Sequence, residues 1–388
     1  METLLPPRAR HGAYAEAGVT DLIDGTAVGA RADVRAELET MLTRLVAHGG
    51  SDLHLTVGAP PRVRIHGDLV EMPDYPVLTP ADTAALVRAV LSDEQWERFE
   101  VEQEIDIAYD IPGVSRFRVN CFQQRNAYGS VMRAIPHEIK PLHELGIPSQ
   151  IERFAYLPRG LVLVTGPTGS GKTTTLASLL DLANSTRKDH IVTIEDPIEF
   201  LHPHRRCLVN QREVGVDTRG FAEALKRVLR QDPDIILVGE LRDLETVSTA
   251  LTAAETGHLV LATLHTQSAA QTIDRIIDIF PPHQQQEIRA QLSTALQGIV
   301  TQALVKRSDG LGRTVVCEVM FATSAIRNLI REGKNHQIPS FMQSSGADGM
   351  LTFDQHLATR VHEDVITYEQ GLELCHAAEE YKRLAGRM

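Results

Sequence analysis

Cysteine is scarce in this 388-residue chain, and Cys121, Cys207, Cys317 and Cys375 stand far apart with no C-x-x-C pair among them. That excludes a paired-cysteine zinc site and offers no disulfide framework. Long apolar runs are missing too. No stretch approaches the roughly 20 residues that a helix needs to cross a bilayer. Arg8 and Arg10 are followed by no apolar segment, so no signal peptide is expected. Basic charge is in deficit, with 39 Lys+Arg against 51 Asp+Glu and a formal net charge of -12. This disfavours a protein that coats nucleic acid and leaves room only for a local basic channel. Low-complexity segments and internal repeats are absent. What remains is an ordinary globular composition, 43% hydrophobic and 23% charged, with length for two or three domains. A cytoplasmic location is expected, with any membrane contact made through partners.

One stretch carries definite chemistry. Gly166-Pro167-Thr168-Gly169-Ser170-Gly171-Lys172-Thr173 is a complete GxxxxGKT loop. The apolar run 160–165 before it reads as a strand, and Thr174 through Ala183 reads as a helix. Glycines let backbone N–H groups turn inward around phosphate oxygens at a helix N-terminus. Lys172 is then placed for the β- and γ-phosphates, and the Thr173 hydroxyl for Mg²⁺.

Taken in order, the chain suggests two folded parts after an extension. Residues 1–35 read as weakly structured. Leu38, Met41, Leu42, Leu45 and Val46 recur at helical spacing over 36–46. Two short strands, 51–57 and 62–66, alternate around turns, with a third resuming at Leu69. Thr79 with Pro80 caps a helix to about Leu91, and Ser92 starts another that ends before Gln103. Strands follow over 104–111, 115–122 and 129–134. An α+β domain over 36–138, an antiparallel sheet with helices on one side, is the natural solution. A linker over 139–148 leads to an α/β domain over 149–388.

In that second part the rhythm is strand, helix, strand, helix. The strand 190–194 ends in Glu195, Asp196 and Glu199, carboxylates that are either a solvated turn or part of the chemistry. After a helix over 219–230, the apolar strand 234–238 delivers Glu240, suited to orient and deprotonate an attacking water. A helix over 244–255 leads to a strand over 257–265 with His258 and His265 at its ends. His265 reads either as a sensor of phosphate state or as a structural cap. Helices are expected over 268–280 and 283–304, a strand over 313–320, then helices over 325–332, 351–359 and 367–381. The stretch His202, His204 and Cys207 reads as a polar loop rather than a metal site. In the first part, Arg116 and Arg118 share one strand face and Arg133 ends the next strand. They form a solvated face or meet an anion from another surface.

With these elements in place the chain resembles the type IV pilus retraction ATPases, the PilT/PilU branch of the secretion ATPase superfamily, over nearly everything from Gly50 to Leu384. Residues 51–55 resemble the opening of that family's N-terminal domain, and 166–173 its Walker A motif. Residues 193–199 resemble its aspartate box, 235–243 its Walker B region and 257–266 its histidine box. The resemblance implies a RecA-like P-loop NTPase core behind a smaller PAS-like α+β domain, hydrolysing ATP with Mg²⁺ as a ring of six. It implies Glu240 as catalytic glutamate, Glu195 and Glu199 holding Mg²⁺ and water, Lys172 and Thr173 on the phosphates with Thr174 beside them, and Thr173, Glu195 and Glu240 around the metal. His265 would lie near the phosphates with His258 in the same box. Arg118 and Arg133 would approach nucleotide at the subunit boundary. Partners would be an inner-membrane platform protein, the pilus machinery and a paralogous retraction ATPase, with no direct nucleic acid and only peripheral membrane association.

Two features favour retraction over assembly. The four-cysteine zinc insert of assembly and type II secretion motors is absent, and 325–334 resembles the C-terminal motif tied to retraction. The alternatives are an accessory paralogue, an assembly or secretion motor, a DNA-uptake or conjugation ATPase, and a nucleotide-binding scaffold without turnover. Roughly 40 residues before the shared domain have no counterpart in that pattern.

Overall fold

A computed structural model describes residues 28–65, 68–135 and 139–386. The chain divides into two compact units, one ending at Ile135 and the other beginning at Pro136.

The first unit holds helix α1 (Val28–Ala47), strands β1 (Asp52–Leu55), β2 (Arg62–Ile65) and β3 (Asp68–Glu71), helices α2 (Pro80–Val90) and α3 (Asp93–Glu102), and strands β4 (Glu104–Ile111), β5 (Ser115–Gln124) and β6 (Ala127–Ile135). The strands form one sheet in the order β3-β2-β1-β6-β5-β4, antiparallel throughout. Strand alternation decides its two faces. Leu53, Val63, Phe117, Val119 and Met132 turn inward and are buried with Leu38, Met41, Leu42 and Leu45 of α1, Leu86 and Val87 of α2, and Trp96 and Phe99 of α3. Both helix starts expected at Thr79 and Ser92 are present, and each is a capping box. Thr79 pairs with Asp82 at the start of α2, and Ser92 with Gln95 at the start of α3. Helix α1 begins earlier than the sequence suggests. Arg35, read as part of the extension, lies within it and donates to the Ala89 carbonyl at 3.0 and 2.8 Å. The rest of that extension, residues 1–27, lies outside the described residues.

The second unit opens with 3-10 turns over Leu142–Leu145 and Ser149–Tyr156. Residues of the expected 139–148 linker pack within this unit. Leu142 and Ile147 are buried in this unit's core, and the Lys140 carbonyl accepts from Ser178 at 2.6 Å. Apolar side chains spaced this way belong to the domain they cover, not to a solvated connection.

Strand β7 (Gly160–Thr165), helix α4 (Lys172–Thr186), strands β8 (His190–Glu195) and β9 (Leu208–Glu213), helix α5 (Phe221–Val228), strand β10 (Ile235–Val238), helix α6 (Leu244–Glu255) and strand β11 (Leu259–Leu264) follow. Next come α7 (Ala269–Asp278), α8 (Gln285–Ala295), β12 (Leu296–Lys306) and β13 (Arg313–Phe321). The sheet order is β13-β12-β7-β11-β10-β8-β9. All neighbours pair in parallel except β12 with β13. The central strands are buried on both faces, which is why they read as unbroken apolar runs. Each such side chain contributes about 1.5–3 kcal/mol by leaving water.

Three expectations fail here. Residues 283–304 are not one helix, because α8 stops at Ala295 and the chain continues as β12 between β7 and β13. A short buried strand and a buried helix turn are indistinguishable by periodicity. Strand β9 was not expected. The last helix is two, α12 (Tyr368–Leu374) and α13 (Ala378–Leu384), after α9 (Ser324–Arg331), α10 (Ile338–Ser344) and α11 (Phe353–His362). The buried Asp354 carboxylate takes the N–H groups of His376 and Ala377, both at 2.8 Å, and so starts a new helix there.

Candidate active site

Four neighbouring parallel strands bring their C-terminal ends to one edge of the sheet, and each delivers one functional element. The glycine loop follows β7, Glu195 ends β8, Glu240 follows β10 and His265 follows β11. They line a cleft of about 540 Å³ together with Glu199, Thr173 and Thr174. This is where open α/β sheets hold ligands.

The loop is shaped by sterics. Gly166 has φ 139°, and a Cβ there would stand 2.2 Å from the Gln302 carbonyl oxygen. Gly171, at φ 88°, is the residue from which α4 starts. Strand β12 braces this loop, because Gln302 donates its carboxamide N–H to the Ser170 carbonyl at 2.8 Å and Thr301 meets Thr165 hydroxyl to hydroxyl at 2.8 Å. Pro167, Thr168, Gly169 and Ser170 complete the turn, and Ser170 Oγ is buried with no partner among the described residues.

Lys172 donates from Nζ to the carbonyls of Gly166 at 2.8 Å and Pro167 at 3.1 Å, and approaches His265 Nδ1 at 3.5 Å. Burial pulls its proton affinity down, against the attraction of Glu240 and Glu199. Glu240 is held at both oxygens, Oε2 by Arg242 at 2.8 Å and Oε1 by His265 Nε2 at 3.3 Å. Burial alone would raise its carboxyl; Arg242 and His265 together leave it below the usual carboxylate value. Glu195 is nearly buried. Burial pushes its carboxyl up, while Thr193 at 2.6 Å and Gln211 at 3.0 Å donate to it.

The cleft's oxygen donors are the Thr173 hydroxyl and the carboxylates of Glu195, Asp196, Glu199 and Glu240, and they outnumber its two histidines, His202 and His265. No group of three or more His, Cys, Asp or Glu side chains converges as a metal cage among the described residues. This set fits Mg²⁺, which keeps water and phosphate oxygens and takes few protein ligands.

His258 is not brought to the cleft. It precedes β11 at the opposite end from His265, and its Nδ1 meets the Ala253 carbonyl at 3.0 Å. A six-residue strand separates the two histidines by about 20 Å. Arg242 lines the cleft and received no role from sequence. Its position two residues after Glu240, in the turn that leaves the strand, was the available signal. His202, His204 and Cys207 each serve local bonds: His202 N–H donates to Gln211, Val209 N–H to His204 Nδ1, and Cys207 N–H to Asn184.

Arg118 and Arg133 lie in the first unit, directly opposite one another on β5 and β6. Each has an acid. Arg133 Nε donates to the buried Asp52 at 2.8 Å, and Arg118 lies 3.6 Å from Asp106. Burial would raise Asp52, but Ser51 and Arg133 hold it below the usual value. Arg64 reaches the same aspartate at 4.0 Å. The sheet face turned away from the helices is therefore a row of arginines around one buried acid.

Comparisons with known proteins agree with this geometry. The type II/IV secretion system protein family matches residues 30–370. PilT of Pseudomonas aeruginosa, a type IV pilus retraction ATPase, is 49% identical over 345 residues, 89% of this chain and 100% of that protein. PilU of the same organism, a type IV pilus ATPase, is 42% identical across 89% of this chain and 90% of its own length. The crystal structure of the pilus retraction motor PilT with bound ADP superposes with a TM-score of 0.84 at 47% identity, covering 89% of this chain and 98% of that one. The phosphate loop, the carboxylate of Glu240 and this similarity over 89% of the chain together establish that the chain belongs to the type II/IV secretion system protein family and, within it, to the type IV pilus retraction ATPases.

Proposed function

We propose that this protein is an ATP-hydrolysing motor that drives type IV pilus retraction as a ring of six. The observation that supports this best is the similarity to PilT over that protein's whole length, joined to an intact Lys172–Glu240–His265 cleft. A scaffold that had lost turnover would have no reason to keep Glu240 oriented on both sides.

The chemistry follows from the side chains. Loop N–H groups and the start of α4 receive the phosphates, and Lys172 exchanges its loop carbonyls for phosphate oxygens. Glu240 orients the attacking water and accepts its proton, while His265 and Arg242 fix the carboxylate's direction. Mg²⁺, held through Thr173 with Glu195 and Glu199 nearby, would neutralise charge on the outer phosphates. Arg118 and Arg133 would serve the nucleotide of a neighbouring chain, where guanidinium forks suit phosphate oxygens. Their pairing with Asp106 and Asp52 orients them for that task. The mechanical output is removal of pilin subunits from the pilus base, through a platform protein in the inner membrane with the motor on its cytoplasmic side. No described helix is long and apolar enough to cross a membrane.

The deciding experiment is pilus number and length in a deletion strain carrying wild type or Glu240→Gln. Many long, non-retracting pili rescued only by wild type are expected. Loss of pili on deletion would mean that the protein assembles them, and normal pili would mean an accessory role.

A further inference from the structure

Glu318 is buried in the interior of β13 and takes no part in the chemistry above. Its Oε1 accepts the Ala269 N–H at 2.6 Å, and the backbone N–H of Phe353 also faces its carboxylate. These are the first residues of α7 and α11. Both helices have side-chain caps that serve the third position instead. Ser268 takes the Gln271 N–H, and Thr352 takes the Gln355 N–H. The first N–H of α7 therefore ends on a carboxylate of β13, and the start of α11 is brought beside that carboxylate because Leu351 pairs with Val319, the neighbour of Glu318, N–H to carbonyl in both directions at 2.8 and 3.0 Å.

The two helices have different neighbours. Only Thr266, Gln267 and Ser268 separate α7 from His265, and Thr266 is bonded to Thr272 inside α7 at 2.6 Å. Helix α11 belongs to the C-terminal cluster of Phe353, Leu357 and Tyr381, and Asp354 beside Phe353 holds the N–H groups of His376 and Ala377 just ahead of α13. Glu318 thus ties the start of α7, just past His265, to β13 at the point where Leu351 leads into α11.

We infer that Glu318 is a positioning residue that couples the His265 loop to the helices α11, α12 and α13, so that these helices follow the nucleotide state of the cleft. This rests on the reading of His265 as the residue that responds to phosphates. Burial pushes the Glu318 carboxyl up to about 7, against the N–H groups of Ala269 and Phe353. A packed apolar side chain would avoid that cost but would orphan the Ala269 N–H.

The test is amide hydrogen exchange on the full-length protein, loaded with ADP or with a non-hydrolysable ATP analogue. In wild type, protection at 265–272 and at 353–384 should differ between the two nucleotides, by about fivefold or more. In Glu318→Gln, the difference should persist at 265–272 and vanish at 353–384, with unchanged nucleotide affinity. A residue that merely stabilises the fold would lower the melting temperature and leave the nucleotide dependence in place. Should that variant not fold, Ala269→Pro removes the N–H at a position where proline suits a helix start and should give the same separation. Retained dependence at 353–384 in the variants overturns the proposal. Response at 265–272 without response at 353–384 in wild type overturns it while leaving the sensor reading intact. No response at either segment overturns both.

Discussion

The two sheets of this chain expose different parts of themselves. In the N-terminal unit the antiparallel sheet buries one face under three helices and turns the other outward, so its chemistry is spread across a surface: Arg133 and Arg64 around Asp52, Arg118 beside Asp106. In the ATPase unit the parallel strands are buried on both faces, and chemistry survives only at their ends. The difference teaches what each unit is suited to. A face of orientable arginines fits a second surface, and converging strand ends fit a small ligand.

If strand ends carry the reaction, Glu240→Gln should lower turnover by about a thousandfold with nucleotide binding retained. Steady-state hydrolysis together with a nucleotide titration checks it, and a loss under tenfold would break the contrast at its strongest point. The same logic applies to stability. Ile236→Ala in β10 should cost about 2–5 kcal/mol in chemical denaturation. Val131→Ala on the outward face of β6 should cost under about 1 kcal/mol. Equal costs would erase the distinction between the sheets.

If the arginine face works on a neighbour, Arg118→Ala with Arg133→Ala should lower turnover by about a hundredfold. Mixing that chain with Glu240→Gln should then recover part of the activity, since each supplies what the other lacks. Mixed rings as inactive as their parents would show that the arginines act within their own chain. The smallest effect is expected at His258. His258→Ala should leave nucleotide affinity within about twofold, as its distance from the cleft requires, whereas a loss comparable to that of a loop variant would return it to the site.

The contrast also explains what was legible. Alternation is written into a half-exposed sheet, so β1, β2 and β4–β6 and the caps at Thr79 and Ser92 could be read locally. The phosphate loop, Glu195, Glu240 and His265 were legible because each stands at a predictable strand end. Strand β12 was not. Its polar residues Thr301 and Gln302 bond to Thr165 and Ser170, more than a hundred positions away. The break between α12 and α13 has the same origin in Asp354. His258 and His265 share one stretch of sequence, but the strand between them sets them at opposite ends of β11. Arg242 stands two residues after Glu240, which places it near that carboxylate, but the contact itself is made only by the folded turn.

One consequence concerns timing. Lys172 is tied to the carbonyls of Gly166 and Pro167 in the loop's own backbone. The ammonium therefore has somewhere to go when phosphates leave, and the loop need not be rebuilt for the next nucleotide. Product departure becomes a partner exchange rather than a loss of bonds, which lowers the barrier to emptying the cleft. A motor that must fire repeatedly under load gains most from this at the step that clears spent nucleotide, where many enzymes spend most of their cycle.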